Sequence, residues 1–437
     1  MSGGSFFVRH LQLLSGGVIV DTNKEKRSLL MICRILIILF LILGAAYDLV
    51  LKIVQYRSAG NPTPESLADV YDPETYAKWK RYSAEKCRLS IIKTVCVFVC
   101  DLILLCTNVY AAFANLLPDS DLWQLLSVVL LAAAVSTVFS VIFRYIDTLV
   151  IEQKYGFNRT RMKTFIFDCF RSALLELALA VLLTWLVAWL YTTMGGYMIL
   201  LFAGVLLCIS LISAFLYPFF SRIGNKFVPL EEGELRDRLM ELLTRHGYHV
   251  RAIEVMDASR RTTKLNAYFT GFGKTKTIVL YDNLVNTMTP DEICAVFAHE
   301  LGHGLHKDTL KRGILSFFSN LVLGVVAWLA VYFVGLHTDF GFAQVNFGFA
   351  YILMGIGLNL IQPLMALATN AHSRYCEYRA DRQAVQEGYG QAMISGLKTL
   401  AQENFSHLAP SKLNVVLEYS HPPVSQRIEA IEKEMEK

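Results

Sequence analysis

The chain has 437 residues, of which 54% are hydrophobic and 18% charged, with a formal net charge of +4 and a mean hydropathy of +0.41. Soluble domains carry about 25% charged residues, so the composition excludes an ordinary soluble enzyme. The pI is near 8.5, and no compact basic cluster interleaved with aromatics is present, which excludes a nucleic-acid partner.

The apolar residues are gathered in long runs. After an N-terminal tail (1–28), seven membrane spans are predicted at 29–53, 89–116, 122–147, 165–193, 195–220, 314–336 and 346–369. The first is too long for a signal-peptide core and reads as a retained anchor. Spans one to five fill 29–220, a polar insert occupies 221–313, spans six and seven fill 314–369, and a second polar region runs over 370–437. Two crossings separate the insert from the last region, so both face the same side.

Basic residues then orient the chain. Arg57, Lys78, Lys80, Arg81, Lys86 and Arg88 lie in the loop 54–88, and Lys154, Arg159, Arg161 and Lys163 in the loop 148–164. The connections at 117–121 and 337–345 carry no Lys or Arg. The insert and the last region are therefore expected on the cytoplasmic side. Lys24, Lys26 and Arg27 of the tail run against this, partly offset by Asp21 and Glu25. Asp48, Asp101, Asn108, Glu176, Asn359 and Gln362 fall inside spans. Such groups are costly in lipid, so together they predict a polar interior to the bundle. The nine cysteines form no C-x-x-C pair and imply no disulfide framework.

In the insert, 250–257 and 276–282 read as short strands, and 266–270 as another, with 271–274 as a turn. The helix that follows has a clear start: Thr289-Pro290-Asp291-Glu292 supplies an N-cap, a first-turn proline and a capping-box acid. Ile293, Val296, Phe297 and Leu301 form its apolar stripe. This helix carries His299-Glu300-Leu301-Gly302-His303. Histidines four apart share one helix face and can reach one ion, while Glu300, one step round, is placed to act as a base. Zinc suits that set because it lowers the pKa of water to about 7 and polarises a carbonyl.

A catalytic zinc needs a third protein ligand. His306 lies three residues past His303; the metzincin pattern would need His at 309, where Thr309 stands, so His306 reads as a helix-end residue. Glu377 and Asp381, just after the seventh span, are four apart on a helix-like stretch. One can ligate while the other orients a ligand histidine.

At this point the sequence resembles the type I CAAX prenyl protease family, integral-membrane zinc metalloproteases of the gluzincin type. The pieces that carry the resemblance are HELGH (299–303), SRYCEYRAD (373–381), NAYFTGFGKTKTIVLYD (266–282), SHPP (420–423) with Arg427, and VIEQKYGFNRT (150–160). It implies a multi-spanning α-helical membrane protein with about seven helices in a hollow bundle. A mainly α, zincin-like protease domain with a small β-sheet would lie on the cytoplasmic side. It implies one zinc held by His299, His303 and Glu377, with Glu300 as base. His421 would steady the oxyanion, Asn266 and Tyr268 would contact the substrate, and Asp381 and Arg427 would support the ligands. The implied substrate is a prenylated C-terminal Cys-a-a-X protein that loses its last three residues. The implied site is the endoplasmic-reticulum membrane for a eukaryotic chain and the plasma membrane for a prokaryotic one. Two rivals share some of these features: a broader quality-control protease with the same site, and a non-enzymatic seven-helix receptor or channel. The sequons at Asn158 and Asn404 fall on the cytoplasmic side and are expected to be unglycosylated.

Overall fold

The computed structural model describes residues 22–118, 120–158, 160–222, 225–260, 262–270 and 277–437. Six helical stretches among these are long and apolar enough to cross a membrane, one of them, Met162–Ser213, being 52 residues long. A straight helix of that length would measure about 78 Å, more than twice the roughly 30 Å of a bilayer core. It is broken at Gly195, whose φ of +54° suits glycine, into α4 (Met162–Met194) and α5 (Met198–Ser221). With α1 (Thr22–Ser58), α2 (Pro73–Cys106), α3 (Asp121–Tyr145), α8 (Asp308–Tyr332) and α9 (Phe347–Gln386), the crossings come to about seven.

Several helix ends depart from the predicted spans. The second is predicted to reach 116, but α2 stops at Cys106, because Asn108 adopts a left-handed conformation (φ 55°) that asparagine tolerates better than most residues. Asn108 is therefore a break residue rather than a mid-span group. Conversely, α9 continues through Gln386, so the SRYCEYRAD stretch is the protruding end of the seventh crossing.

Between α5 and α8 lies a mixed sheet of order β1-β2-β4-β3, formed by β1 (Phe227–Pro229), β2 (Ala252–Met256), β3 (Ala267–Thr270) and β4 (Thr277–Tyr281). β2 and β4 pair in parallel, and β3 joins β4 antiparallel as an edge strand. The predicted turn at 271–274 lies outside the described residues. Against the sheet pack the amphipathic α6 (Glu234–Arg245), through Leu239, Leu242 and Leu243, and α7 (Pro290–Leu305), through Ile293, Phe297 and Leu301. α7 has the full capping box: Thr289 N–H donates to Glu292 Oε2 at 2.9 Å, and Thr289 Oγ1 accepts from Glu292 N–H. α10 (Gly390–Glu403) and α11 (Val424–Met435) close the far wall.

The loops tie the two halves together. Leu67, Val70 and Tyr71, just after α1, join a core with Ala295, Ala298, Leu397 and Ile428, and Tyr71 donates to the Ala401 carbonyl at 2.7 Å. After α3, Glu152 accepts from Tyr82 (2.6 Å) and Lys86 (2.8 Å). The basic loops 54–88 and 148–164 thus share the side of the sheet. Within the bundle, two cavities of about 740 and 700 Å³ share Leu41, Lys93, Val97, Asp101 and Asn359. Glu176 lines the first, and Asp48 and Gln362 line the second, so five of the six expected intramembrane polar residues face this hollow.

Candidate metal centre

The buried helix α7 presents His299 and His303, and the protruding end of α9 presents Glu377 (2% exposed) opposite them. One ligand atom from each lies within 4.8 Å of the others. His299 Nε2 is 3.4 Å from Glu377 Oε2, and His303 Nε2 is 3.4 Å from Glu377 Oε1. Tetrahedral zinc with bonds of about 2.05 Å spaces its ligands by roughly 3.3 Å, so the donor set fits that ion in type and in spacing.

Both imidazoles are held from behind. His299 Nδ1 donates to Asp381 Oδ1 at 2.9 Å, and His303 Nδ1 donates to Asp308 Oδ2 at 3.0 Å. Each carboxylate is gripped in turn by an arginine. Arg427 donates to Asp381 through Nε (2.9 Å) and Nη2 (2.6 Å), and Arg379 donates to Asp308. These bonds fix the tautomer that leaves Nε2 free to ligate. Burial disfavours the charged form of His299, but the Asp381 and Glu377 carboxylates outweigh it and lift its pKa to about 9. Burial also raises the pKa of Glu300, opposed by the two histidines.

A cleft of about 260 Å³ opens at this centre, lined by Glu300, Asn266, Ala267, Arg312 and His421 among others. His421 Nε2 lies 3.3 Å from Glu377 Oε1, while its Nδ1 faces Ser420 Oγ at 2.9 Å. In the tautomer whose Nδ1 accepts from the Ser420 hydroxyl, Nε2 carries the proton and is a donor at the cleft. Tyr268 is the exception among the expected residues. Side chains alternate along a strand, and its ring packs on the other face of the sheet with Met256, Val279 and Tyr281. Asn266 and Ala267, not the Tyr268 ring, face the cleft. His306 caps the end of α7.

Three residues escape sequence reasoning. Asp308 opens α8 after a turn through Lys307 (φ 56°), in a stretch read as a loop before a span starting at 314. Arg379 sits between Glu377 and Asp381 and looks like a solvated charge. Arg312, from the first turns of α8, donates to Ser373 Oγ at 3.2 Å and stands 3.9 Å from Glu377 Oε1. An acid five residues after the second histidine was the one available signal for Asp308.

Comparison with known proteins agrees with this geometry. Residues 52–222 match the family model for the CAAX prenyl protease N-terminal region with five membrane helices, and residues 229–435 match peptidase family M48. The chain is similar to CAAX prenyl protease 1 of Saccharomyces cerevisiae, 30% identical over 408 residues, covering 86% of this chain and 89% of the relative. It is also similar to the CAAX prenyl protease 1 homolog of Oryza sativa, 29% identical, covering 91% of this chain and 96% of the relative. The crystal structure of Ste24p from S. mikatae superposes with a TM-score of 0.82 at 26% identity, covering 91% of this chain and 99% of that one. Histidines braced by carboxylates, a facing glutamate and a hollow bundle of membrane helices thus occur here in a chain that belongs to the CAAX prenyl protease 1 group of peptidase family M48, the membrane metalloproteases.

Proposed function

We propose that this protease removes the last three residues of prenylated Cys-a-a-X proteins, using one zinc ion held by His299, His303 and Glu377. The observation that carries the reading is the donor set itself, which spans two helices and opens into a cleft beside an edge strand. When bound, zinc would supply the Lewis acidity that eases deprotonation of water and polarises a carbonyl. The chain supplies the rest. Asn266 and the outward groups of β3 hold the substrate extended, as an added strand. Glu300 takes the proton from the attacking water and delivers it to the leaving nitrogen. His421 donates from Nε2 to the oxygen that gains charge. Asp381 with Arg427, and Asp308 with Arg379, keep the imidazoles aimed.

A substrate that carries a lipid must keep it in an apolar setting while its peptide reaches water, and a site at the end of a membrane bundle serves both needs. The basic loops on the protease side support a cytoplasmic location for that side. The relatives named CAAX prenyl protease 1 favour this substrate class over general quality-control proteolysis.

Glu300→Gln should retain stoichiometric zinc and lose cleavage of a farnesylated peptide by roughly a thousandfold or more. Glu377→Ala should lose the metal, read by elemental analysis. Substantial turnover by Glu300→Gln would remove the base assignment, and full zinc in Glu377→Ala would remove the third ligand.

A further inference from the structure

Glu300, Arg312, Glu377 and Arg427 are the charged side chains lining the cleft. Three of them are committed. Glu377 belongs to the donor set, Glu300 is the proposed base, and Arg427 spends Nε and Nη2 on Asp381. Arg312 is not committed in this way. It reaches the cleft from the first turns of α8, and its side chain is 48% exposed. Among the described residues its hydrogen bonding is confined to Nη2, which donates to Ser373 Oγ at 3.2 Å, so Nε and Nη1 stay available. The bond to Ser373 ties the guanidinium to α9 and holds it at the cleft. Its 3.9 Å separation from Glu377 Oε1 is too long for a hydrogen bond. His421 Nε2 lies 3.3 Å from that same oxygen. A half-exposed cation with spare donors and a histidine donor therefore flank one vertex of the metal centre.

We infer that Arg312, beside His421, forms a subsite for the carboxylate that cleavage creates, so that the enzyme holds its prenylated product more tightly than a neutral counterpart. The inference rests on the proposed hydrolysis at this centre. In that reaction the water oxygen bonds to the carbonyl carbon and the C–N bond breaks. Both water protons end on the departing nitrogen, which leaves as an ammonium group. What stays behind is a carboxylate at the point of the cut, whatever the length of the fragment released. The carboxylate already present at the end of a Cys-a-a-X substrate lies three residues further on, about 10 Å away in an extended strand. Arg312 stands next to the donor set itself, so the new carboxylate is the anion within its reach. A planar guanidinium with spare N–H groups matches a carboxylate in shape and charge. The uncut amide is neutral and gains less from the same contact.

The test measures, by calorimetry, the binding of N-acetyl-S-farnesylcysteine as the free acid and as its primary amide to the full-length, zinc-loaded enzyme. Inhibition of farnesylated-peptide cleavage by the same two compounds gives a second readout. Contact with zinc would favour the acid in every variant, so the ratio of acid to amide affinity is compared between variants. The unmodified enzyme should prefer the acid. Arg312→Gln should lower the ratio by about tenfold, through weaker binding of the acid. Arg312→Lys keeps the charge without the planar fork and should lower it by about threefold or less. Arg312→Met, which keeps the apolar stem, takes the place of the glutamine variant if that one does not fold. A ratio within about twofold of the unmodified enzyme in Arg312→Gln or Arg312→Met overturns the subsite. Equal weakening of acid and amide gives that result, and it is what an arginine that only ties α8 to α9 would produce. An unmodified enzyme that cleaves prenylated peptides yet shows no preference for the acid, or binds neither compound, overturns the subsite and leaves the proposed activity standing. An unmodified enzyme that cleaves no prenylated peptide overturns the proposed activity, and the subsite with it.

Discussion

At the scale of single residues, the centre depends on groups set behind the two imidazoles. Asp308 orients His303 as Asp381 orients His299. Asp308→Ala should weaken zinc binding by about 10- to 100-fold without unfolding the chain, as measured by competition with a chelator. Protons compete at the same atoms. Metal-free His299 holds its proton up to about pH 9, so zinc must displace it at neutral pH. Zinc affinity should then rise by about tenfold per pH unit below that value, and calorimetry in buffers of different ionisation enthalpy should show proton release. Affinity that stays flat between pH 6 and 8 would remove this account. For the metal-free chain the sign reverses. A pKa raised from 6.5 to about 9 gives stability that is fully present below pH 6.5 and lost as pH rises through 9. His299, Glu300, His303 and Glu377 were legible as residue types at helical spacing. The paired arginines were not, because an arginine that grips a buried acid looks in sequence like any surface charge.

At the scale of elements, the site is a crossing of two helices. α7 carries both histidines, and α9 carries Glu377, Arg379 and Asp381. Gly302 sets their separation. A Cβ there would meet Gln383 Cβ at 3.0 Å and the Ala380 Cα at 3.1 Å. Backbone cannot yield as a flexible side chain can, so Gly302→Ala should push the helices apart by a few tenths of an ångström. The expected result is a loss of stability of about 1–3 kcal/mol and weaker zinc binding, read by thermal unfolding with and without metal. Unchanged melting and unchanged affinity would show that the crossing has slack. Helix starts were readable where chemistry marks them, as with the capping box at Thr289. Helix ends inside apolar runs were not. α9 extends well past the lipid-length stretch, because its last turns exchange lipid for the sides of α7, α10 and α11. β3 was visible as a strand but its facing was not, so the Tyr268 ring, expected at the substrate, lies on the other face of the sheet with Met256 and Val279.

At the scale of the whole molecule, the basic loops, the sheet and the metal centre lie together at one end, and a hollow lined by Asp101, Glu176 and Asn359 lies within the bundle. If that end is cytoplasmic, Asn158 and Asn404 stay unmodified. Both side chains are engaged: Asn158 Oδ1 accepts from Thr160 N–H at 2.8 Å, and Asn404 pairs with Leu265. A glycosidase-sensitive mass shift on the chain expressed in eukaryotic membranes would overturn the orientation. The sequence alone determined the membrane class, the approximate crossings and the histidine dyad at helical spacing, because each is written in local periodicity or spacing. The tertiary structure decided which acid faces the histidines and which carboxylates and arginines brace them. Those depend on contacts between residues up to 128 positions apart, such as His299 with Arg427, and such contacts leave no local pattern in the chain.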